Sequence, residues 1–438
     1  MSERAARTLL TLYRYAGAAA YPLMGPYVAW RASKGKEDKG RTRERYGYAG
    51  HERPEGPLIW VHAASVGETI AVVPLVQTIL GYGVNIVLTT GTVTSARVVR
   101  ERLGNSVIHQ YVPLDLKPAV SRFLDHWSPD LAIIAESEIW PMTILELGAR
   151  NVPQVLVNGR MSDRSFASWK KRTSLAEALF ENLAHVVAQS EIDGERFRAL
   201  GARPVTVSGN LKVDTLPPPV EEKTLQALRR QIGKRPTWAA VSTHEGEEKI
   251  AAEIHAALRK RHPGLLTIVV PRHPPRADEL AEQIRSMGLR LVRRSSWEPV
   301  AADTDILLGD TIGEMGLYLR LTEIAFVGRS LTGAGGQNPL EPAMLDTAIL
   351  AGKNVQNFRD SYKNLLERGG VKLVRDRNML AGAVNYLLLN EEARRNMIAA
   401  ASATVNDMRG ALAATMKALE PFIHPLVVQA GLRRASKG

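Results

Sequence analysis

Four short apolar runs in this 438-residue chain are each followed by a Ser, Thr or Asn with Glu three residues further on. Leu58 to His62 precedes Ser65-Val66-Gly67-Glu68, and Trp238 to Val241 precedes Ser242-Thr243-His244-Glu245. Ile306 to Leu308 precedes Thr311-Ile312-Gly313-Glu314, and Ile324 to Gly328 leads through Gly333, Gly335 and Gly336 to Asn338-Pro339-Leu340-Glu341. Each reads as a buried strand ending at a helix start, because the short polar side chain caps the first free N–H groups and the Glu reaches back. Repeated strand-to-helix junctions predict an α/β chain whose helix N-termini gather at the carboxyl ends of parallel strands, where open sheets bind ligands. The glycine-rich fourth junction, with Pro339 suited to the first helical position, is built to bring backbone N–H groups to an anion. Neither a Walker A sequence nor G-x-G-x-x-G follows a strand, which argues against a P-loop NTPase or a standard dinucleotide enzyme.

The length exceeds one usual core and predicts two domains. Strand-like runs near Leu58, Asn85 to Leu88, Leu131 to Ile134, Val155 to Val157 and Val186 to Ala188 describe one doubly wound domain. A second alternation runs through Ala239 to Val241, Leu266 to Val270, Ile306 to Leu308, Ile324 to Val327 and Ala348 to Leu350. Between them the turn-rich stretch ending in Pro217-Pro218-Pro219 is a natural linker. The boundaries expected are 1–50 for an N-terminal segment, 51–208 for the first domain, 209–220 for the linker and 221–438 for the second, with a C-terminal helix able to pack back on the first. Two similar Rossmann-like halves facing each other across a cleft suit a donor and an acceptor.

Charge narrows the function further. Of the net +12, residues 1–53 supply half, with eleven Lys/Arg against five Asp/Glu. This basic cluster, Arg31 through Arg45, follows Leu9 to Trp30, whose only charge is Arg14. Residues 15–30 are uncharged, contain Pro22 and Pro26, and are short for a membrane span. An apolar, aromatic-containing segment beside basic residues predicts an interfacial or re-entrant anchor on an anionic membrane, with the body on the cytoplasmic side. A helix pair packed on its own domain is the competing reading. A nucleic-acid-binding protein would show a basic stripe interleaved with aromatics, and aromatics are only 6% here. The chain has no cysteine, and its ten histidines lack metal-ligand spacing, so neither disulfides nor a metal or other cofactor is expected.

In the second half Pro271 and Arg272 follow strand Leu266 to Val270, Ile312 to Glu314 follow the next, and Asn338 to Glu341 follow the third, so all should share one sheet edge. A guanidinium there binds two oxygens of a phosphate or carboxylate. Asp303-Thr304-Asp305 resembles a metal-binding D-x-D but stands at the entry to a strand, the wrong end for this site. In the first half Glu68 is either a capping-box residue or a base, and a helix N-terminus is expected to keep it ionised. Glu136 and Glu138 end the strand Leu131 to Ala135, and Lys212 lies near the domain joint, facing the ligand or pairing with Asp214.

Together these stretches resemble the lipid A Kdo (3-deoxy-D-manno-octulosonic acid) transferases. The likeness rests, in chain order, on His62 to Glu68 (HAASVGE), Glu136 to Pro141 (ESEIWP), Asn158 to Ser165 (NGRMSDRS), Gly209 to Asp214 (GNLKVD), Ser242 to Glu248 (STHEGEE), Pro271 to Arg276 (PRHPPR), Gly309 to Met315 (GDTIGEM) and Gly335 to Pro342 (GGQNPLEP). The resemblance implies a GT-B fold, metal-independent transfer from CMP-Kdo, and the phosphorylated tetraacyl lipid A precursor on the cytoplasmic face of the inner membrane as acceptor. It implies Glu68 as general base, Glu136 and Lys212 as transition-state stabilisers, and Pro271, Arg272, Ile312, Gly313, Glu314, Asn338, Pro339, Leu340 and Glu341 as CMP-binding positions. The family usually has His where Gln337 stands and Gly where Arg329 stands. A nucleotide-sugar epimerase shares the two-domain fold and is the nearest rival, but it needs no lipid and no anchor.

Overall fold

The computed structural model describes residues 3–435 and divides into two compact units, Met1–Thr215 with Arg409–Gly438, and Leu216–Met408. The first is built on β1 (Leu58–His62), β2 (Asn85–Thr90), β3 (Ile108–Tyr111), β4 (Leu131–Ala135), β5 (Gln154–Gly159), β6 (His185–Ala188) and β7 (Val205–Val207). All pair in parallel, in the order β3-β2-β1-β4-β5-β6-β7. Helices cover both faces, so successive residues of β1 enter different cores. Ile59 and Val61 pack with Val72, Val76 and Ile79 of the helix Val66–Gly81, whereas Leu58 and Trp60 pack with Phe123 and Trp127.

The second unit holds β8 (Thr237–Thr243), β9 (Leu266–Pro271), β10 (Leu291–Arg293), β11 (Ile306–Leu308), β12 (Ile324–Val327), β13 (Ala348–Gly352) and β14 (Val371–Val374). Its sheet is also wholly parallel, in the order β10-β11-β9-β8-β12-β13-β14. In both sheets the chain starts near the middle, works outward to one side, then crosses back. The crossing leaves a switch point between β1 and β4 in one unit and between β8 and β12 in the other. Crevices for ligands form outside the carboxyl ends of strands at such points.

The last helix, Ala411–Ala435, returns to the first unit, where Leu419, Ile423 and Leu426, spaced along one face, join the core behind β1. Asp214 fastens its start, accepting from Gly410 N at 2.9 Å and Leu412 N at 2.5 Å. Asp214 is thus committed to this helix start, while the Lys212 ammonium pairs with Glu136.

The N-terminal segment, expected as an interfacial anchor too short to span, is tied into its own unit. Among the described residues, the only helical run long and apolar enough to cross a membrane is Glu391–Arg433, at the other end of the chain and interrupted near Gly410. The first helix, Glu3–Ala20, packs instead on the helices Lys117–Trp127 and Thr173–Phe180. Leu10 is buried against Ala178, and Arg14 pairs with Glu146 at 2.6 Å. The basic cluster is also partly spent inside the fold. Arg31 and Arg45 both bind Glu37, at 2.6 and 2.8 Å, and Arg41 binds Glu44. What stays exposed is Leu9, Leu12, Tyr13, Tyr15, Leu23, Tyr27 and Trp30, followed by Lys34, Lys36 and Lys39.

Candidate active site

At the switch point of the first sheet, β1 ends at His62 and two alanines lead to Ser65, the N-cap of the helix Val66–Gly81. The capping box is complete. Ser65 Oγ accepts from Glu68 N at 3.3 Å and donates to Glu68 Oε1 at 2.8 Å, while Glu68 Oε2 accepts from Ala64 N at 2.8 Å and Ser65 N at 3.4 Å. Capping and the chemistry expected of a base therefore coincide in one carboxylate. The helix start was expected to favour its ionised form. Instead burial first, and then the charges of Glu136 and Glu138, push its pKa up, outweighing the bonds from Ser65 and Ala64. A carboxylate with raised proton affinity is a better proton acceptor.

The neighbouring strand exit supplies the other charges. Glu136 follows β4 with a left-handed φ of 56°, and its N–H still donates to Val157 O at 2.9 Å, so the turn is held by the sheet. Its carboxylate forms an ion pair with Lys212 and accepts from Asn158 Nδ2 at 3.4 Å. Asn158, at the end of β5 and also left-handed, accepts from Leu211 N at 3.0 Å through its oxygen, and Asn210 Oδ1 accepts from Lys212 N at 3.0 Å. Lys212 is thus carried to Glu136 by two asparagines. Glu138 lies 3.8 Å from His62 Nε2 and accepts from Trp140 Nε1 at 2.5 Å. The three expected residues Glu68, Glu136 and Lys212 come together around the β1 and β4 exits. His62 and Asn158 were not singled out, because a histidine or asparagine closing a strand carries no spacing signal of its own.

The second unit corrects the reading of its helix starts. Of the four junctions only Ser65–Glu68 makes both capping-box bonds. The helix Glu247–Leu258 starts at Gly246, and Glu247, not Glu245, accepts from His244 N, at 3.0 Å. Asn338 is not the cap of its helix. Pro339 holds that place before the four-residue helix Leu340–Ala343, and Asn338 Oδ1 accepts from Leu340 N at 3.1 Å in a tight turn. Thr311 does bond to Glu314, but the helix begins at Met315, and the other Glu314 oxygen accepts from Arg294 Nη2 at 2.8 Å. A Ser, Thr or Asn three residues before Glu names a candidate turn, not which residue opens the helix.

Glu247 does more than close its own helix. Its buried carboxylate accepts from Arg329 N at 2.6 Å, Ser330 N at 3.0 Å and Leu331 N at 3.0 Å, fixing the loop that leaves β12 against the end of β8. The approach is so close that a Cβ on Gly328 would lie 2.5 Å from Ser242 O. Arg272 N donates to Thr243 O at 3.0 Å, the rings of His244 and His273 meet edge-on at 5.3 Å, and Gln337 Nε2 is 3.1 Å from His244 Nε2. Burial, then the neighbouring Arg329, His273 and Arg272, hold the His244 imidazole below its usual pKa. The exits of β8, β9 and β12 thus form one connected, cationic edge. Pro271, Arg272 and Asn338 to Glu341 lie on it, and Ile312 to Glu314 follow β11, beside β9. Asp305 is structural: it accepts from Arg290 N at 2.8 Å and holds the buried His255 Nε2 at 3.0 Å, at the opposite edge. Among the described residues no group of three His, Asp or Glu side chains is placed to hold a metal ion.

Comparison with known proteins adds ancestry to this geometry. Residues 40–215 match the family model described as 3-deoxy-D-manno-octulosonic-acid transferase (kdotransferase). The chain is 35% identical to a 3-deoxy-D-manno-octulosonic acid transferase of Haemophilus influenzae, over 92% of this chain and 96% of that one. It is 37% identical to the transferase of Bordetella pertussis over 86% and 91%. In fold it is similar to a glycosyltransferase of Rickettsia africae, with a TM-score of 0.60 over 84% of this chain and 99% of that one at 12% identity. A UDP-N-acetylglucosamine 2-epimerase is nearly as similar, with a TM-score of 0.54 over 79% and 91% at 10% identity. Those structures establish a two-sheet, GT-B-like fold and nothing finer, since the rival epimerase shares it. Identity along nearly the full length of both chains separates the two possibilities, and on that ground the chain belongs to the 3-deoxy-D-manno-octulosonic acid (Kdo) transferase family.

Proposed function

We propose that this Kdo transferase takes the sugar from CMP-Kdo and attaches it to a hydroxyl of the phosphorylated tetraacyl lipid A precursor, with Glu68 as the general base. The acceptor oxygen attacks the anomeric carbon, the bond from that carbon to the phosphate oxygen breaks, and CMP leaves with the electron pair. The hydroxyl proton passes to Glu68. One displacement inverts the anomeric centre. Lys212 and Glu136 act as a pair beside this carboxylate, the ammonium offsetting negative charge on phosphate or Kdo carboxylate as it develops. Arg272 and the loop segments Ile312–Glu314 and Asn338–Glu341 hold CMP, and the cationic surroundings of His244 support an anion on that edge.

The observation that carries the reading is Glu68 itself: held by three local hydrogen bonds and raised in proton affinity by burial first and then by two neighbouring carboxylates. The test is mass spectrometry of the lipid after incubating detergent-solubilised protein with CMP-Kdo and tetraacyl lipid A precursor, for wild type and Glu68→Gln. Added Kdo with wild type, and a rate at least a hundredfold lower with a folded variant, supports the base. A variant as fast as wild type returns Glu68 to capping alone.

We further infer attachment to the cytoplasmic face of the inner membrane through the exposed apolar side chains of the N-terminal helices. Their aromatic content and the lysines that follow support an interfacial rather than spanning contact.

A further inference from the structure

A surface arginine needs no special backbone, yet Arg329 has one. It leaves β12 with a left-handed φ of 55°, a conformation that suits glycine and is disfavoured for a long L side chain. Contacts on both sides of its backbone hold it there. One oxygen of the buried Glu247 carboxylate, Oε2, accepts from Arg329 N at 2.6 Å and from His244 N at 3.0 Å, so the β12 exit is locked beside the β8 exit. Arg329 O accepts from Gly336 N at 3.0 Å, closing the loop just before Gln337 and Asn338. The side chain runs past Gly333, where an added Cβ would lie 3.1 Å from Arg329 Cγ. The guanidinium beyond is exposed and has no ion-pair or hydrogen-bond partner among the described residues. Left-handed residues other than glycine that their surroundings over-determine in this way gather at ligand clamps.

We propose that Arg329 is a further ligand for the donor: its guanidinium binds an oxyanion of CMP-Kdo, the phosphate or the Kdo carboxylate, from the β12 side of the switch point. The proposal rests on the reading of this edge as the CMP site. Strand order puts the exits of β9, β8 and β12 side by side, and Arg272 N donates to Thr243 O at 3.0 Å, so Arg272, His244 and Arg329 follow one another along the edge. The Arg272 guanidinium is likewise exposed and unpaired among the described residues. The Glu247 carboxylate is occupied by four backbone N–H groups, those of His244, Arg329, Ser330 and Leu331, and forms no ion pair with either guanidinium. Each planar fork can bind two oxygens of a phosphate or carboxylate at once. CMP-Kdo carries one group of each kind, so one fork on either side of the β8 exit matches its charge.

The experiment measures CMP affinity by calorimetry, and the KM for CMP-Kdo in the detergent transfer assay, for full-length wild type, Arg329→Gly and Arg329→Lys. Glycine accepts the left-handed turn, so Arg329→Gly keeps the fold, with Tm equal to wild type or above it. Its KM for CMP-Kdo rises on the order of tenfold, while kcat and the KM for the lipid change less. A residue needed only for the loop's structure would not separate a rising KM from an undiminished Tm. Arg329→Lys, a point charge without the fork, recovers part of the loss. A CMP affinity that falls together with the rise in KM assigns the phosphate as the bound group; a CMP affinity that holds while KM rises assigns the Kdo carboxylate. Arg329→Gly with wild-type KM for CMP-Kdo and wild-type CMP affinity overturns the proposal. Unchanged CMP affinity in Arg272→Gln overturns instead the reading of this edge as the CMP site, so the two failures are separable.

Discussion

Asn158 shows how much a single side chain settles in the first unit. Its amide donates to Glu136 and accepts from Leu211 N, so one buried residue positions both members of the Glu136–Lys212 pair. Asn158→Ala strands the Leu211 N–H and the left-handed backbone together. The expected loss is on the order of 2 kcal/mol of stability, read as a lower urea midpoint, with kcat falling more than KM changes. His109 gives a pH prediction. Arg41 Nη1, 3.1 Å away, must donate to His109 Nδ1, so the ring is neutral with its Nε2 proton toward Thr90 Oγ1. Burial, then Arg41, Arg100 and Arg45, lower its pKa to about 3. The unfolded chain binds this proton near pH 6.5 and the folded one does not. Stability from this site is therefore complete above pH 6.5 and is lost as pH falls toward 3. His109→Gln should flatten that part of the stability–pH curve, and a curve parallel to wild type would sink the assignment. Residues of this kind escape sequence reading because their meaning lies in partners distant along the chain. Glu68 was legible because its cap is local.

Elements were legible in proportion to their burial. Every strand expected from the sequence exists, and the four not foreseen, β3, β7, β10 and β14, are the two edges of each sheet. A central strand is covered on both faces and reads as an unbroken apolar run, as Leu131–Ala135 does. An edge strand keeps polar residues, such as His109 and Gln110 in β3 or the exposed Lys372 in β14, and its run dissolves into its surroundings. Helix starts were less legible, because a capping pattern leaves its register open by a residue or two. The carboxylate of Asp214 illustrates a cap that no local pattern contains, reaching the helix Ala411–Ala435 from far along the chain. Asp214→Ala should cost about 1 kcal/mol and speed amide exchange in the first turn of that helix, with Gly410 and Leu412 most affected. Unchanged exchange there would mean that core contacts of Leu419 and Ile423 alone seat the helix. Gly328→Ala should be more severe, since its Cβ meets the backbone of Ser242 and Thr243 and the Glu247 carboxylate together. Loss of CMP binding in a variant whose first unit remains folded is the expected result.

For the molecule as a whole, the charge bookkeeping of the sequence changes once its ion pairs are seen. Half of the net +12 sits in the first 53 residues, yet Arg31, Arg41 and Arg45 are all held in ion pairs, with Glu37 and Glu44 offsetting two of their three charges. Arg43 lies over the Tyr48 ring. The charges left to attract an anionic surface are chiefly Lys34, Lys36 and Lys39, each contributing about 1 kcal/mol near such a surface at low salt. The apolar part comes from Leu12, Tyr15, Leu23, Tyr27 and Trp30, whose burial in an interface does not depend on salt. These two contributions separate in a vesicle flotation experiment. Full-length protein should float with vesicles containing anionic lipid and less so with purely zwitterionic ones, and added salt should close that gap. Replacing Lys34, Lys36 and Lys39 by Gln should leave binding to zwitterionic vesicles intact while removing the anionic preference. Replacing Leu12, Leu23 and Trp30 by Ser should do the reverse, keeping a weak, salt-sensitive preference. If instead flotation survives both sets and is lost on removing the run after Gly410, the membrane contact belongs to the C-terminal helix. Its apolar face, Leu419, Ile423 and Leu426, would then have to leave the first core, and the truncated protein should unfold as well.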